Sequence, residues 1–250
     1  MSLDTPVFAA PPRTVTVEVW SDVACPWCFI GKRRFATALR DFPHAEHVEV
    51  VWRSYQLSPD TPTGPGRPEV DALVEMKGLP RDQVQQMFGH VTDVAAGEGL
   101  RYDFDRTLAF NTFDAHRLLH LARRAGGAAL VEATMEALFS AHFEQGVDLG
   151  ADGALVRIAA QAGFGDHGWS DERVATALAG DDAADEVRAD LDEARALRVT
   201  GVPFFVVDRK YAVSGAQPAE VFTQLLDAGW REANPLTAAP SAEACTDGSC

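Results

Sequence analysis

The stretch Val15-Thr16-Val17-Glu18-Val19-Trp20-Ser21-Asp22-Val23-Ala24-Cys25-Pro26-Trp27-Cys28-Phe29-Ile30-Gly31 decides the reading of the chain. From Val15 to Trp20 apolar residues alternate and β-branched side chains abound, which predicts a strand with one face buried. From Phe29 to Arg40 the pattern is that of a helix. Cys25 and Cys28 therefore fall where a strand hands over to a helix N-terminus. The first turn of a helix carries unpaired N–H groups and the positive end of the macrodipole, so a Cys25 thiolate is expected to be stabilised there. Pro26 suits the first helical position, where its missing N–H costs nothing. Cys28 lies one turn further in, able to bridge to Cys25 and more shielded. That is the arrangement of a redox pair, one thiol attacking a disulfide and the other resolving the mixed intermediate. Half of a zinc site, or two packed cysteines, would share the C-x-x-C spacing. A Pro-Trp filler at a strand-to-helix junction speaks against the metal knuckle, and no metal is expected.

Composition sets the outer bounds. The 250 residues fit one large domain, or one domain with an insertion, and 46% hydrophobic content is enough for a sizeable core. No apolar run approaches the ~20 residues a membrane span needs. The first residues carry no early Lys or Arg and no long apolar run, so no secretory signal is expected. A formal charge of −15 and a pI near 4.8 speak against nucleic acid as a partner. Four cysteines are too few for a disulfide scaffold, and the expected compartment is the cytoplasm.

Working outward, His47 to Leu57 reads as a second strand, making a βαβ unit with a parallel pair. Ser58 to Pro68 holds four prolines and two glycines, which predicts a loop. From Glu69 to about Arg198 helical periodicity runs almost throughout. Helices are expected after Pro80, over Thr112 to Arg124, Gly127 to Gln145, Asp152 to Ala162, Ser170 to Ala179 with Ser170 as N-cap, and Ala183 to Arg198. Strand chemistry returns at Val199 to Asp208 and Tyr211 to Ser214, a hairpin, and Pro218 opens a last helix. The order β, α, β, helical insertion, ββ, α is an α/β thioredoxin fold with a large helical insertion. Residues 14–58 and 199–229 would form the thioredoxin-like part and 69–198 the all-helical insertion. Residues 230–250, Ala-, Pro- and Ser-rich and ending Cys245-Thr246-Asp247-Gly248-Ser249-Cys250, would form a flexible tail.

The Cys-Pro-Trp-Cys junction, the helical insertion and Thr200-Gly201-Val202-Pro203-Phe204 together resemble the DsbA family. The FrnE-like branch, cytoplasmic relatives of DsbA and of 2-hydroxychromene-2-carboxylate isomerase, is the nearer likeness. Asn111-Thr112 with Ala115-His116-Arg117-Leu118, and Tyr211 to Gln217, add to it; the likeness covers about Val15 to Gly229. It implies that Pro203 is cis and faces the cysteines, leaving the Val202 backbone free to pair with an extended substrate beside Trp27. It also implies an acidic residue under the pair to take the Cys28 proton; Glu18 and Asp22 are the candidates, although the spacing to Glu18 is one residue long. His116 and His120 share a helix face without the glutamate of a metalloprotease, and His116 belongs to the family pattern. Cys245 and Cys250 form a second candidate redox pair.

The implied activity is thiol–disulfide exchange on protein disulfides, with a thiol reductant and no resident cofactor, glutathione being a candidate thiol partner. Two other readings share the fold. One is a glutathione-dependent isomerase or kappa-type transferase, although those relatives carry serine at the first active-site position. The other is a chaperone-like binding protein. The sequence leaves the oligomeric state open.

Overall fold

The computed structural model describes residues 11–235. Strand β1 (Val15–Ser21) leads through the Asp22 to Cys25 turn into helix α1 (Pro26–Arg40), and a 3-10 turn at Ala45–His47 leads into β2 (Val48–Ser54). Next come β3 (Arg67–Pro68), α2 (Glu69–Lys77), α3 (Arg81–Gly97) and β4 (Leu108–Ala109). Four helices follow: α4 (Phe113–Phe143), α5 (Ala154–Ala162), α6 (Asp171–Ala179) and α7 (Ala184–Ala196). The hairpin β5 (Phe204–Val207) and β6 (Tyr211–Ser214) and helix α8 (Ala219–Ala233) close the described chain. The main sheet has the order β2-β1-β5-β6, with β1 parallel to β2 and antiparallel to β5. This is the expected thioredoxin arrangement, interrupted between β2 and β5.

Both faces of β1 are buried, which alternation alone did not announce. Val15, Val17 and Val19 point to the side of α1 and α8, where Phe35, Phe205 and Phe222 meet with centroids 4.5–5.7 Å apart. Trp20 points the other way, packs with Val199, Val206 and Ala194 of α7, and donates its indole N–H to the Asp190 carbonyl at 3.2 Å. A large amphipathic ring occupies what reads as a polar phase because its one polar atom has a partner.

Helix α4 packs beside β2, with His120 3.1 Å from the Ser54 hydroxyl and Arg123 donating to the Trp52 carbonyl. The Phe139 ring stacks on Phe29 of α1 at 4.9 Å, so insertion and sheet share one core. Gly127 (φ 67°, ψ −155°) breaks α4 where the Gly126-Gly127 pair marks a boundary between two helical patterns. Ser170 caps α6 through the Arg173 N–H, as its position predicts.

Two expectations are corrected. Residues 69–198 are not all helical: Leu108–Ala109 pairs antiparallel with Arg67–Pro68 at the end of the proline-rich segment. So short a ladder leaves no periodicity to read. The tail does not begin at residue 230, because α8 runs to Ala233 and Trp230 stacks on His44 at 3.9 Å. Cys245 and Cys250 lie outside the described residues.

Candidate active site

Three segments meet at the carboxyl end of the central strand. The first is the turn into α1. Cys25 is the N-cap residue of that helix, with extended backbone, and Pro26 takes the first helical position. The Cys25 N–H donates to the Asp22 carbonyl and the Cys28 N–H to the Cys25 carbonyl, each at 3.0 Å, which winds the chain tightly enough to bring the thiols together. Both cysteines are free thiols, 4% exposed at Cys25 and 1% at Cys28, so the first is the one that solvent or a ligand reaches. Burial pushes the Cys28 thiol well up, and the neighbouring Cys25 pushes the same way.

The second segment is the loop into β5. The Val202–Pro203 bond is cis, and the Cys25 thiol lies 3.5 Å from the Val202 carbonyl, to which it donates. Pro203 is buried against α1 at Gly31, where a methyl group would come within 2.8 Å of the proline ring. A bare Cα at this position lets the helix and the proline loop touch.

The third segment comes from the interrupted region. Strand β3 ends at Pro68, and the Glu69 N–H donates to the Thr107 carbonyl at 3.0 Å, so the two-stranded ladder fixes where Glu69 starts α2. Glu69 joins Asp22, Cys25, Trp27, Val202 and the side chains of α2 and α3 around a cavity of about 510 Å³. Its walls are mostly apolar, with Leu73, Met76, Met87, Phe88 and Phe104 among them. Burial, with Asp22 adding to it, raises the Glu69 carboxyl to about 7.

The sequence candidates separate cleanly. Cys25, Trp27, Val202 and Asp22 line one cavity. Asp22 is 1% exposed; its carboxylate accepts the Leu57 N–H at 2.7 Å and lies 3.3 Å from His116 Nε2. Glu18 is removed from the proton-acceptor role: its carboxylate accepts from Arg53 and Arg209, on the α7 side of the sheet. Its phase along β1, opposite to Val17 and Val19, gives the reason. His120 is drawn away from the cavity too, to Asp190 at 3.0 Å and Ser54 at 3.1 Å.

Some residues here carry little sequence signal. Tyr102 donates its hydroxyl to the Pro26 carbonyl at 2.7 Å, and burial raises its pKa, the two thiols acting in the same direction. No periodicity marks a lone tyrosine in a connecting segment. Gly31 does leave a trace, as an isolated glycine inside an amphipathic helix. Glu69 follows a run of breakers, and His142 sits in an ordinary helical pattern; tertiary packing alone gives them their character.

A strand–thiol–helix junction facing a cis proline on a thioredoxin sheet defines a class of protein. The chain belongs to the DSBA-like thioredoxin domain family, whose pattern it matches over residues 16–227. Its structure is similar to that of a probable DsbA oxidoreductase from Streptomyces coelicolor, at 44% identity and a TM-score of 0.81, covering 94% of this chain and 98% of the other. A 2-hydroxychromene-2-carboxylate isomerase shares the fold at 14% identity and a TM-score of 0.65, covering 89% and 100%. The uncharacterized protein YwbO of Bacillus subtilis (strain 168) is 41% identical over 46 residues, 18% of this chain and 21% of that protein. That match spans about a fifth of the relative's length. Among the described residues no helix is long and apolar enough to cross a membrane.

Proposed function

We propose that the protein is a thiol–disulfide oxidoreductase or isomerase of the FrnE-like branch, working on protein disulfides in the cytoplasm. The observation that carries this reading is the Cys25 thiol at a helix N-terminus, against the Val202 carbonyl, at the edge of an apolar cavity. In reduction, the Cys25 thiolate attacks a substrate disulfide, forms a mixed disulfide beside Pro203 and expels one substrate thiolate. Cys28 then loses its proton and attacks Cys25 Sγ, releasing the second substrate thiolate. Two electrons pass to the substrate and Cys25–Cys28 is left as a disulfide. A thiol reductant returns the pair to the dithiol, and glutathione serves there as reactant rather than resident cofactor. Cys28 is the resolving thiol because its raised pKa keeps it protonated until Cys25 has reacted. Asp22 is the acidic group beside the pair. Cys245 and Cys250 are the candidate second redox pair.

A redox titration in glutathione buffers tests this, with alkylation and mass spectrometry scoring the two pairs separately. Cys25–Cys28 is expected to equilibrate within about −120 to −270 mV. The Cys28→Ser variant is expected to accumulate mixed disulfide on Cys25. If Cys25 and Cys28 never bridge across that range, the reading is wrong.

A further inference from the structure

Glu69 sits oddly for a carboxylate. It is the first residue of α2, where the helix dipole favours negative charge and would draw its pKa down. Its Oε2 is instead shut off from solvent and has no hydrogen-bond partner among the described residues. The residue as a whole is partly exposed, so the carboxyl turns one unpartnered oxygen inward; such an oxygen is costly, and such groups gather where chemistry needs them. The cavity it lines also holds Cys25, and nothing in the exchange so far assigns it a task.

We propose that Glu69 is the acid–base residue of the cavity, protonating the thiolate that leaves the substrate when Cys25 attacks. This inference rests on the oxidoreductase reading and adds a group to it. Cys25 Sγ⁻ and R–S–S–R′ give Cys25–S–S–R and R′–S⁻; the S–S bond of the substrate breaks and a new one forms. Glu69–COOH then gives its proton to R′–S⁻, leaving R′–SH and Glu69–COO⁻. In the reverse direction the carboxylate takes the proton from an incoming substrate thiol. The electrons come from the Cys25–Cys28 thiols alone.

The surroundings set the protonation of the group. Asp22, on the loop after β1, faces Glu69 with negative charge; Cys25, Lys77 at the end of α2 and His90 on α3 line the same cavity. Asp60, Arg67 and Glu75 line the adjoining cleft on its other side. Burial and Asp22 hold the carboxyl at about 7, so the acid form is present below that pH and is lost as pH rises through it. A group poised near the working pH both gives and takes a proton.

A leaving-group comparison tests the proposal. Pre-reduced full-length protein is mixed, in single turnover, with bis(hydroxyethyl) disulfide or with dithiobis-nitrobenzoate. The hydroxyalkyl thiol is a weaker acid than a free cysteine thiol, whose pKa is ~8.5, and needs a proton on departure; the nitroaryl thiol is acidic and leaves as the anion. In Glu69→Gln the ratio of the alkyl rate to the aryl rate is expected to fall by at least about tenfold. The wild-type alkyl rate should also show a loss as pH rises through about 7 that the variant lacks. A variant that slows both disulfides equally, or neither, overturns the proposal, because misfolding or a purely structural role cannot sort substrates by leaving group. If wild-type protein reduces neither disulfide, the oxidoreductase reading has failed instead.

Discussion

The imidazole of His142 is fully buried between Phe110 and Phe143, and neither ring nitrogen has a hydrogen-bond partner among the described residues. Burial lowers its pKa to about 4, with Asp22 pulling weakly the other way. The unfolded chain protonates this ring near 6.5, so the folded state is favoured above that pH and loses ground as pH falls toward 4. Between pH 8 and pH 5 the loss is on the order of 2 kcal/mol. Urea denaturation at the two pH values should show it in the wild type, and His142→Leu should flatten the difference. An unchanged pH dependence in the variant would remove His142 as the source. The same residue shows where sequence reading stops. The thiols are legible because they form a local motif with a mechanism, and the cis Pro203 is legible only through the family likeness. His142, Glu69 and Tyr102 acquire their properties from what is packed over them, which spacing does not encode. Glu18 is instructive in the opposite sense: its phase along β1 already assigned it to the wrong face, and only the family likeness kept it a candidate.

Among the elements, α7 is tied to the sheet most densely through the Asp190 carboxylate, with Glu193 adding a pairing to Arg209. Asp190 accepts the Ser54 N–H at 2.9 Å, Arg53 Nη1 at 3.0 Å and His120 Nε2 at 3.0 Å, while its own carbonyl receives the Trp20 indole. Burial alone would raise its pKa; His120, the Ser54 N–H and Arg53 reverse that and hold it below the ordinary value. Its stabilising effect is therefore present above about pH 4 and lost as pH falls through the depressed value. Asp190→Ala leaves the buried Ser54 N–H without its partner, while Arg53 keeps Glu18 and His120 keeps the Ser54 hydroxyl, and it is expected to cost about 1–3 kcal/mol. The midpoint of denaturant unfolding at neutral pH checks this, and a change below about 0.5 kcal/mol would mean the latch is not needed. The helices were readable from their periodicity and caps, Ser170 and Pro218 included. The β3–β4 ladder was not, since two residues on each side, one of them proline, give no alternation to detect. That ladder nevertheless positions Glu69, so the least visible element carries one wall of the site.

For the whole molecule, a formal charge of −15 surrounds the Cys25–Cys28 site. An anionic substrate such as oxidised glutathione approaches against that field, and added salt screens it. Reduction of oxidised glutathione should therefore accelerate between about 10 and 150 mM salt, whereas reduction of neutral bis(hydroxyethyl) disulfide should barely change. Equal salt responses would mean that the field near Cys25 does not follow the net charge. The overall plan was readable because its order of elements is distinctive. Which surfaces close over the thiols was not, because that depends on contacts of the thiol turn with segments far along the chain, from Glu69 on α2 through Phe104 to Phe143 on α4, which no local pattern encodes.

The central strand β1 pairs on one side with β5, whose residues lie some 190 positions later in the chain. Synthesis runs at about 5–20 residues per second. Cys25 and Cys28 thus leave the ribosome roughly nine to thirty-five seconds before the Val202–Pro203 loop that completes their site. During that interval the nascent chain has its thiols but neither the strand nor the loop that later flanks them. The redox poise of the surroundings, and not the protein's own architecture, decides what those thiols meet while the chain is still being made.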